Sequence, residues 1–259
     1  MGEALARGYA APGQTIAVVG RNGERLAQVA AAVEAKGAKS SQGQVDVTDR
    51  AGLEAFVEQF DAEYPIDLVI INAGIFDGRK PGEDIEDLDT SLRVLDTNLT
   101  GTLTTLHAVL PGMRRRGRGH IVLMSSLAGL TPIGGGLGYS ASKAAVVFYG
   151  LGLKQLLHPM GIRVTVACPG FVETPITDRH LGWQPFRISP DAAARKIIRG
   201  IQCHRAIVAF PLVLHVMTRV AILMPDFVRR IVGRVFSCHA AAGETKMSGK
   251  ALPSLAPGE

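Results

Sequence analysis

Cysteine is scarce in this chain. Its three thiols, Cys168, Cys203 and Cys238, are odd in number and have no metal-ligand spacing. A disulfide scaffold and a metal centre are therefore not expected, and reduced thiols in a cytoplasmic protein are. Aromatic residues make up only 5%, with one tryptophan, against 47% hydrophobic residues and 30 glycines. That balance points to aliphatic layers joined by tight turns. The opening MGEALARGYA lacks the charged-then-apolar pattern of a secretory leader. Even the most apolar stretch, 206–236, holds no run of 18 uncharged residues, so no transmembrane helix is expected. A charge excess is missing too over residues 1–198, which carry 20 basic and 20 acidic side chains. Residues 199–259 carry 8 and 3, so the whole net charge of +5 lies in the last quarter. The one dense basic run, RRRGR at 114–118, closes a helix and complements its dipole, and no nucleic-acid partner is expected.

What is present alternates. TIAVVG (15–20) has the composition of a buried strand, and ERLAQVAAAVEAKG (24–37) that of a helix stopped by Gly37. SQGQVDV (41–47) reads as a short strand before a helix over 49–63, and IDLVIINAG (66–74) as an apolar strand ending in a turn. A helix follows over about 89–115, then a strand HIVLMSS (120–126), a helix over 139–158 and a strand RVTVACPG (163–170). At 259 residues this pattern predicts one α/β domain, a doubly wound parallel sheet with helices on both faces.

The chemistry concentrates in YSASK, Tyr139 to Lys143. Positions i and i+4 share one helix face, so phenol and ammonium reach one cleft. The cation is expected to lower the phenol's pKa and make Tyr139 a general acid/base. Ser126 ends the preceding strand, thirteen residues upstream, where doubly wound sheets place ligands. The glycine-rich GLTPIGGGLG between them suits a loop over a substrate. Asn72 to Gly74 end another strand, Asn98 lies in the helix after it, and Pro169, Gly170 and Thr174 follow the last clear strand.

In this order, DV (46–47), NAG (72–74), NLTG (98–101), SS (125–126), YSASK (139–143) and PG (169–170) resemble the motifs of the short-chain dehydrogenase/reductase family, over about residues 2–200. The resemblance implies a Rossmann-type three-layer fold and a Ser-Tyr-Lys-Asn site. Tyr139 would give a proton to a carbonyl oxygen, Lys143 would tune it and bond the nicotinamide ribose, Ser126 would hold the substrate oxygen, and Asn98 would maintain a proton relay. Asp46 would meet the adenine, Asn72, Ala73 and Gly74 would line the cofactor cleft with Pro169 and Gly170, and Thr174 would contact the carboxamide. Arg21, where relatives that prefer NAD(H) carry an acid, suits a 2′-phosphate, so NADP(H) is expected over NAD(H). The function implied is interconversion of a carbonyl and a secondary alcohol on an apolar, lipid-like substrate. The family's habit of pairing helices implies a homo-oligomer.

One part of the family pattern is missing: the first strand and most of its TGxxxGxG turn, of which Gly2 would be the last glycine. The sheet would then lack a central strand and leave two inner edges unpaired, together with phosphate-binding amides. A start placed too late would account for about 15 residues, one strand and its turn, and the intact downstream motifs favour this. A true truncation would instead need a strand from a partner. It would also suit the alternative function, a non-catalytic Rossmann-fold regulator or scaffold. Residues 1–200 are expected as the catalytic domain and 201–240 as an apolar, basic helical extension. Residues 241–259 are expected as a disordered tail. Within the extension, 206–236 admits two readings: contact with a membrane surface through helices edged by Arg219, Arg229, Arg230 and Arg234, or helices that cover the substrate cleft or pack in an oligomer interface. His107 and His120 are expected to be structural.

Overall fold

The computed structural model describes residues 1–225 and 239–241. The chain opens with helix α1 (Gly2–Tyr9), then strand β1 (Thr15–Gly20), α2 (Gly23–Glu34), β2 (Lys39–Gln44), α3 (Arg50–Glu63) and β3 (Leu68–Ile71). There follow α4 (Leu88–Leu95), α5 (Gly101–Arg116), β4 (Gly119–Met124), α6 (Leu137–Leu157) and β5 (Ile162–Pro169). The remainder runs through α7 (Pro175–Asp178), β6 (His180–Leu181), α8 (Pro190–Gln202), β7 (Ile207–Phe210), α9 (Leu212–Leu223) and β8 (His239–Ala240). Side chains set several of the starts. Asn22, Asp49, Asp87 and Ser189 each accept a bond from a first-turn amide of α2, α3, α4 and α8.

Four parallel strands run in the order β3-β4-β5-β7. Alternation along β4 separates the two faces of this sheet. Ile121 and Leu123 join Leu53 of α3, Leu106 of α5 and Val146 of α6 in one core. Val122 and Met124 join Leu5 of α1 and Ile197 of α8 in the other. Helices therefore cover both faces, the doubly wound arrangement read from the alternating pattern. At Gly150 of α6 an added Cβ would come 2.5 Å from Val166 on β5, so glycine is what lets this helix lie against the sheet.

The sheet is interrupted where the first strand was expected to be missing. β1 pairs with β2 in a separate two-stranded parallel sheet, and β3 pairs with β4. Among the described residues, the other edge of each has no strand partner. Burial follows: β1 contains no buried residue and Val19 is 38% exposed, whereas β4 is buried from His120 to Met124.

Several boundaries differ from expectation. α2 ends at Glu34, ahead of Gly37, which turns the chain at φ +80°. β2 spans 39–44, not 41–47, because Asp46 accepts bonds from the Thr48 amide and hydroxyl and curls the backbone. The helix expected over 89–115 is two helices joined by a π-turn, Asp96–Thr100. The extension expected to be helical contributes strand β7, paired to β5, before α9. Residues 226–238 and 242–259 lie outside the described residues, and with them Arg229, Arg230, Arg234, Cys238 and the expected disordered tail. Among the described residues no helix is long and apolar enough to cross a membrane.

Candidate active site

The end of β4 and the first turns of α6 build the centre of the site. Ser126 leaves β4 extended and caps a short 3-10 turn, accepting from the Ala128 amide at 3.2 Å. Its hydroxyl donates to the Pro169 carbonyl at 3.4 Å, at the end of β5. The next strand residue back, Ser125, donates to the Lys143 carbonyl at 2.7 Å. Lys143 in turn donates from Nζ to the Met124 carbonyl at 2.9 Å. Strand and helix are thus stitched together twice, and Tyr139 and Lys143 lie one helical turn apart over the strand ends, with Nζ 5.8 Å from the phenol ring's centre.

Burial controls the electrostatics here. It pushes the Lys143 ammonium down to about 8, Cys168 opposing slightly. It pushes the Tyr139 phenol up, and a hydrogen bond with Ser126 offsets only part of that. This corrects the expectation that Lys143 would lower the tyrosine. Its ammonium is held by the Met124 carbonyl, and the phenol answers to desolvation first and to Ser126 second. Tyr139 is therefore a protonated donor in the free protein.

Asn98 sits in the π-turn, fully buried. Its Oδ1 accepts from the Ile75 amide at 2.7 Å, and its Nδ2 donates to the Ile75 carbonyl at 3.0 Å and to Ser142 Oγ at 3.1 Å. A π-turn, rare and concentrated at working sites, points this amide at the loop after β3. An added Cβ at Gly74 would come 3.1 Å from Asn98 Oδ1 and 3.2 Å from Lys143 Nζ, so Gly74 is a cradle floor beside both. At the start of α1 a Cβ on Gly2 would come 2.8 Å from Asn72 Nδ2. Ser126, Tyr139, Lys143, Asn98, Asn72, Ala73, Gly74, Pro169 and Gly170 all follow or overlie the carboxyl ends of β3, β4 and β5.

Arg21 and Asp46 meet elsewhere, beyond β1 and β2, with their charged groups 3.5 Å apart. Burial alone would raise the Asp46 carboxyl, but bonds from Thr48 and the Arg21 guanidinium outweigh it and leave the carboxyl below its ordinary range. Thr174 caps the approach to α7, its hydroxyl donating to the Val172 carbonyl at 3.2 Å. His107 is at the surface, 3.4 Å from the Tyr149 hydroxyl, and His120 bonds Thr165 at 2.9 Å on the sheet, so neither joins the site. Arg116 of the basic run grips Asp61 with both guanidinium nitrogens, at 2.7 and 2.8 Å.

A cavity of about 650 Å³ opens over Ser126 and Tyr139. Phe76, Phe171, Ile133, Leu214, Val216 and Met224 give it apolar walls, and no Lys, Arg, Asp or Glu is among the described lining residues. Phe76 meets the Tyr139 ring edge-on, with centroids 5.2 Å apart. Buried Ala240 packs on Phe76, Ile133 and Tyr139, held by β8 pairing with β6 and by its amide on the Arg79 carbonyl at 2.9 Å. Below it, buried Asp77 accepts from Arg93 at 2.6 Å and Arg179 at 3.1 Å, tying the loop after β3 to α4 and α7. Motif reading missed Phe76, Phe171, His180, Trp183 and Ala240, because they come from unpatterned loops and a distant strand that only folding brings together.

The model of the family described as "short chain dehydrogenase" matches residues 1–184. An uncharacterized oxidoreductase of Myxococcus xanthus is 35% identical over 231 residues, 87% of this chain and 89% of that protein. An NADP-dependent 3-hydroxy acid dehydrogenase of Salmonella typhi is 37% identical over 174 residues, 66% and 68%. Among solved structures, a short-chain dehydrogenase from Sphingobium yanoikuyae in complex with NADPH superposes with a TM-score of 0.73 at 26% identity, covering 96% of this chain and 94% of that one. With its strand ends, its Ser-Tyr-Lys cluster and these matches in agreement, the chain belongs to the short-chain dehydrogenase family of oxidoreductases.

Proposed function

We propose that this protein reduces the carbonyl of a neutral, apolar, lipid-like substrate to a secondary alcohol with NADP(H). One observation carries the reading: Tyr139, kept protonated by burial, stands with Ser126 at the base of a cavity whose described lining is uncharged and largely apolar. The volume suits a molecule of drug or fatty-chain size.

The residues present fit the nicotinamide nucleotide. Gly74 lets the backbone come close to Asn98 and Lys143, and Gly2 to Asn72, where a Cβ would crowd these polar side chains off the cleft. Lys143, Asn72, Ala73, Gly74, Pro169, Gly170 and Thr174 would hold the nicotinamide half. Asp46 would face the adenine and Arg21 the 2′-phosphate, and the NADP-dependent relative and the NADPH-bound neighbour support that choice. When bound, NADPH supplies the hydride. The chain's part is to bind and orient the carbonyl, exclude water and deliver a proton. Ser126 Oγ would hold the carbonyl oxygen while the Tyr139 hydroxyl gives it the proton. Asn98, by fixing both polar groups of the Ile75 peptide, keeps the loop beside Lys143 in place. The relative in Salmonella is named for 3-hydroxy acids. Here a free carboxylate would meet no cation among the described lining residues, which favours a neutral substrate.

Residues 1–200 would form the catalytic unit, with α9 and β8 closing the cavity. α6 exposes Phe148 and Leu156 at 77% and 70%, which supports self-association through that helix. α9 exposes Leu212, Val213 and Val216 beside the cavity mouth, which supports contact with a membrane surface from the cytoplasmic side. Tyr139→Phe is the test. NADPH oxidation at 340 nm with a medium-chain alkanone should fall by roughly 10²–10⁴-fold, with NADPH binding retained. Turnover within threefold of wild type would sink the proposed mechanism.

A further inference from the structure

Among the described residues, His180 is the one buried side chain of the cavity wall that brings both a hydrogen-bond donor and an acceptor without using either. It is 8% exposed, and no hydrogen bond among the described residues engages its ring nitrogens, nor is either one sealed away from the cavity as a buried, unsatisfied atom. The ring is wedged between Phe76, at 5.6 Å and 50°, and Phe171, at 5.2 Å and 57°. Its backbone is pinned by the β6–β8 pairing and by Gln184, whose amide donates to the His180 carbonyl at 2.6 Å. The buried threonine hydroxyls of the wall are engaged: Thr177 donates to the Val172 carbonyl and Thr218 to the His215 carbonyl. Burial keeps the imidazole in its neutral form, which offers one N–H and one lone pair.

A ring nitrogen facing an apolar cavity takes its partner from what fills the cavity, water or a polar atom of a ligand. Phe76 touches the rings of both Tyr139 and His180, so one phenyl ring spans the distance from the reacting carbonyl to this second polar point. We propose that His180 is a specificity residue that bonds a second, uncharged oxygen of the substrate, an ester or amide carbonyl or a hydroxyl, a few bonds along the chain from the carbonyl that is reduced. The substrate class is then an apolar chain with two neutral oxygen functions. This rests on the reading of the cavity as the substrate site.

The test pairs methyl oxodecanoates, with the ketone at C3, C4, C5 or C6, against alkanones of equal length that have alkyl in place of the ester. Trp183, the only tryptophan of the chain, lines the cavity, so its fluorescence gives a Kd for each probe whether or not it is turned over; kcat/KM with NADPH is measured in parallel. At least one ester isomer should bind about tenfold tighter than its alkanone, the worth of one good hydrogen bond. His180→Phe, which keeps a ring and loses both polar atoms, should erase that ratio; His180→Gln should restore part of it. Thr131→Val, which removes the half-buried hydroxyl elsewhere in the lining, should leave it. No ester preferred by more than twofold in the wild type overturns the proposal, whatever the variants do, and so does a His180→Phe ratio equal to wild type. Selective binding without turnover would leave His180's role standing and remove the reductase reading. Turnover without oxygen preference would do the reverse.

Discussion

Acid should destabilise this fold through His120, by an amount the structure allows to be worked out. The ring lies buried on β4, with Nε2 2.9 Å from Thr165 Oγ, whose own proton goes to the Arg205 carbonyl at 2.7 Å. Nε2 must therefore be the donor, which the neutral ring satisfies. Burial first, then the charges of His204 and Arg163, push its pKa from 6.5 down to about 4. In the unfolded chain the ring titrates near 6.5. On acidification the unfolded state thus takes up its proton first, so the stability is complete above pH 6.5 and is lost as pH falls towards 4. At pH 4.5 the difference corresponds to about 2.5 kcal/mol; water at the ring's edge screens part of it, leaving an expected loss of about 2 kcal/mol. Urea unfolding of wild type and His120→Gln at pH 7.5 and 4.5 isolates the effect, because other titrating groups are common to both. The wild type should lose about 2 kcal/mol more than the variant over that interval. Equal losses would refute the argument and mean that the ring is hydrated or charged in the folded state.

Three further outcomes follow from the geometry. Amides on the facing edges of β1 and β3 should exchange with deuterium at least roughly tenfold faster than those of β4; equal protection in a fragment-resolved exchange experiment would mean that the two edges are paired. Arg116→Met removes two charge-assisted bonds from the largely buried Asp61 carboxylate, leaving it the Ile66 amide and Arg115 at 4.0 Å, and should cost about 2 kcal/mol in urea unfolding, with Asp61→Asn added to it recovering part. If Arg21 serves a 2′-phosphate, Arg21→Asp should cut the NADPH-over-NADH ratio of kcat/KM by roughly tenfold or more, the scale of one charge-assisted bond; an unchanged ratio would return Arg21 to the role of Asp46's surface partner.

The elements were legible wherever local pattern and burial agree. TIAVVG and Thr15–Gly20 coincide, and the helices expected from 24, 49 and 139 begin at Gly23, Arg50 and Leu137. The Tyr139–Lys143 pair was legible for a simpler reason: helical spacing alone brings i and i+4 together. Less legible were the features set by contacts distant in sequence. The π-turn at Asn98 depends on Ile75 and Ser142, 23 and 44 residues away, and nothing in DTNLT reports it. Strand β7 was hidden because IVAF, four residues long, cannot be told by periodicity from the helix that follows it.

The sequence by itself determined the parallel α/β architecture and the identity of the Ser-Tyr-Lys cluster. These depend on residue order and on spacings of a few positions. The tertiary structure alone decided the direction of the Tyr139 shift and the apolar character of the described cavity lining, and it placed His180 between two phenylalanines. Each of those is a matter of desolvation, which is fixed by what packs around a group. Here those neighbours come from Phe76, Phe171, α9 and Ala240, up to 164 positions apart in the chain, and no local pattern carries that information.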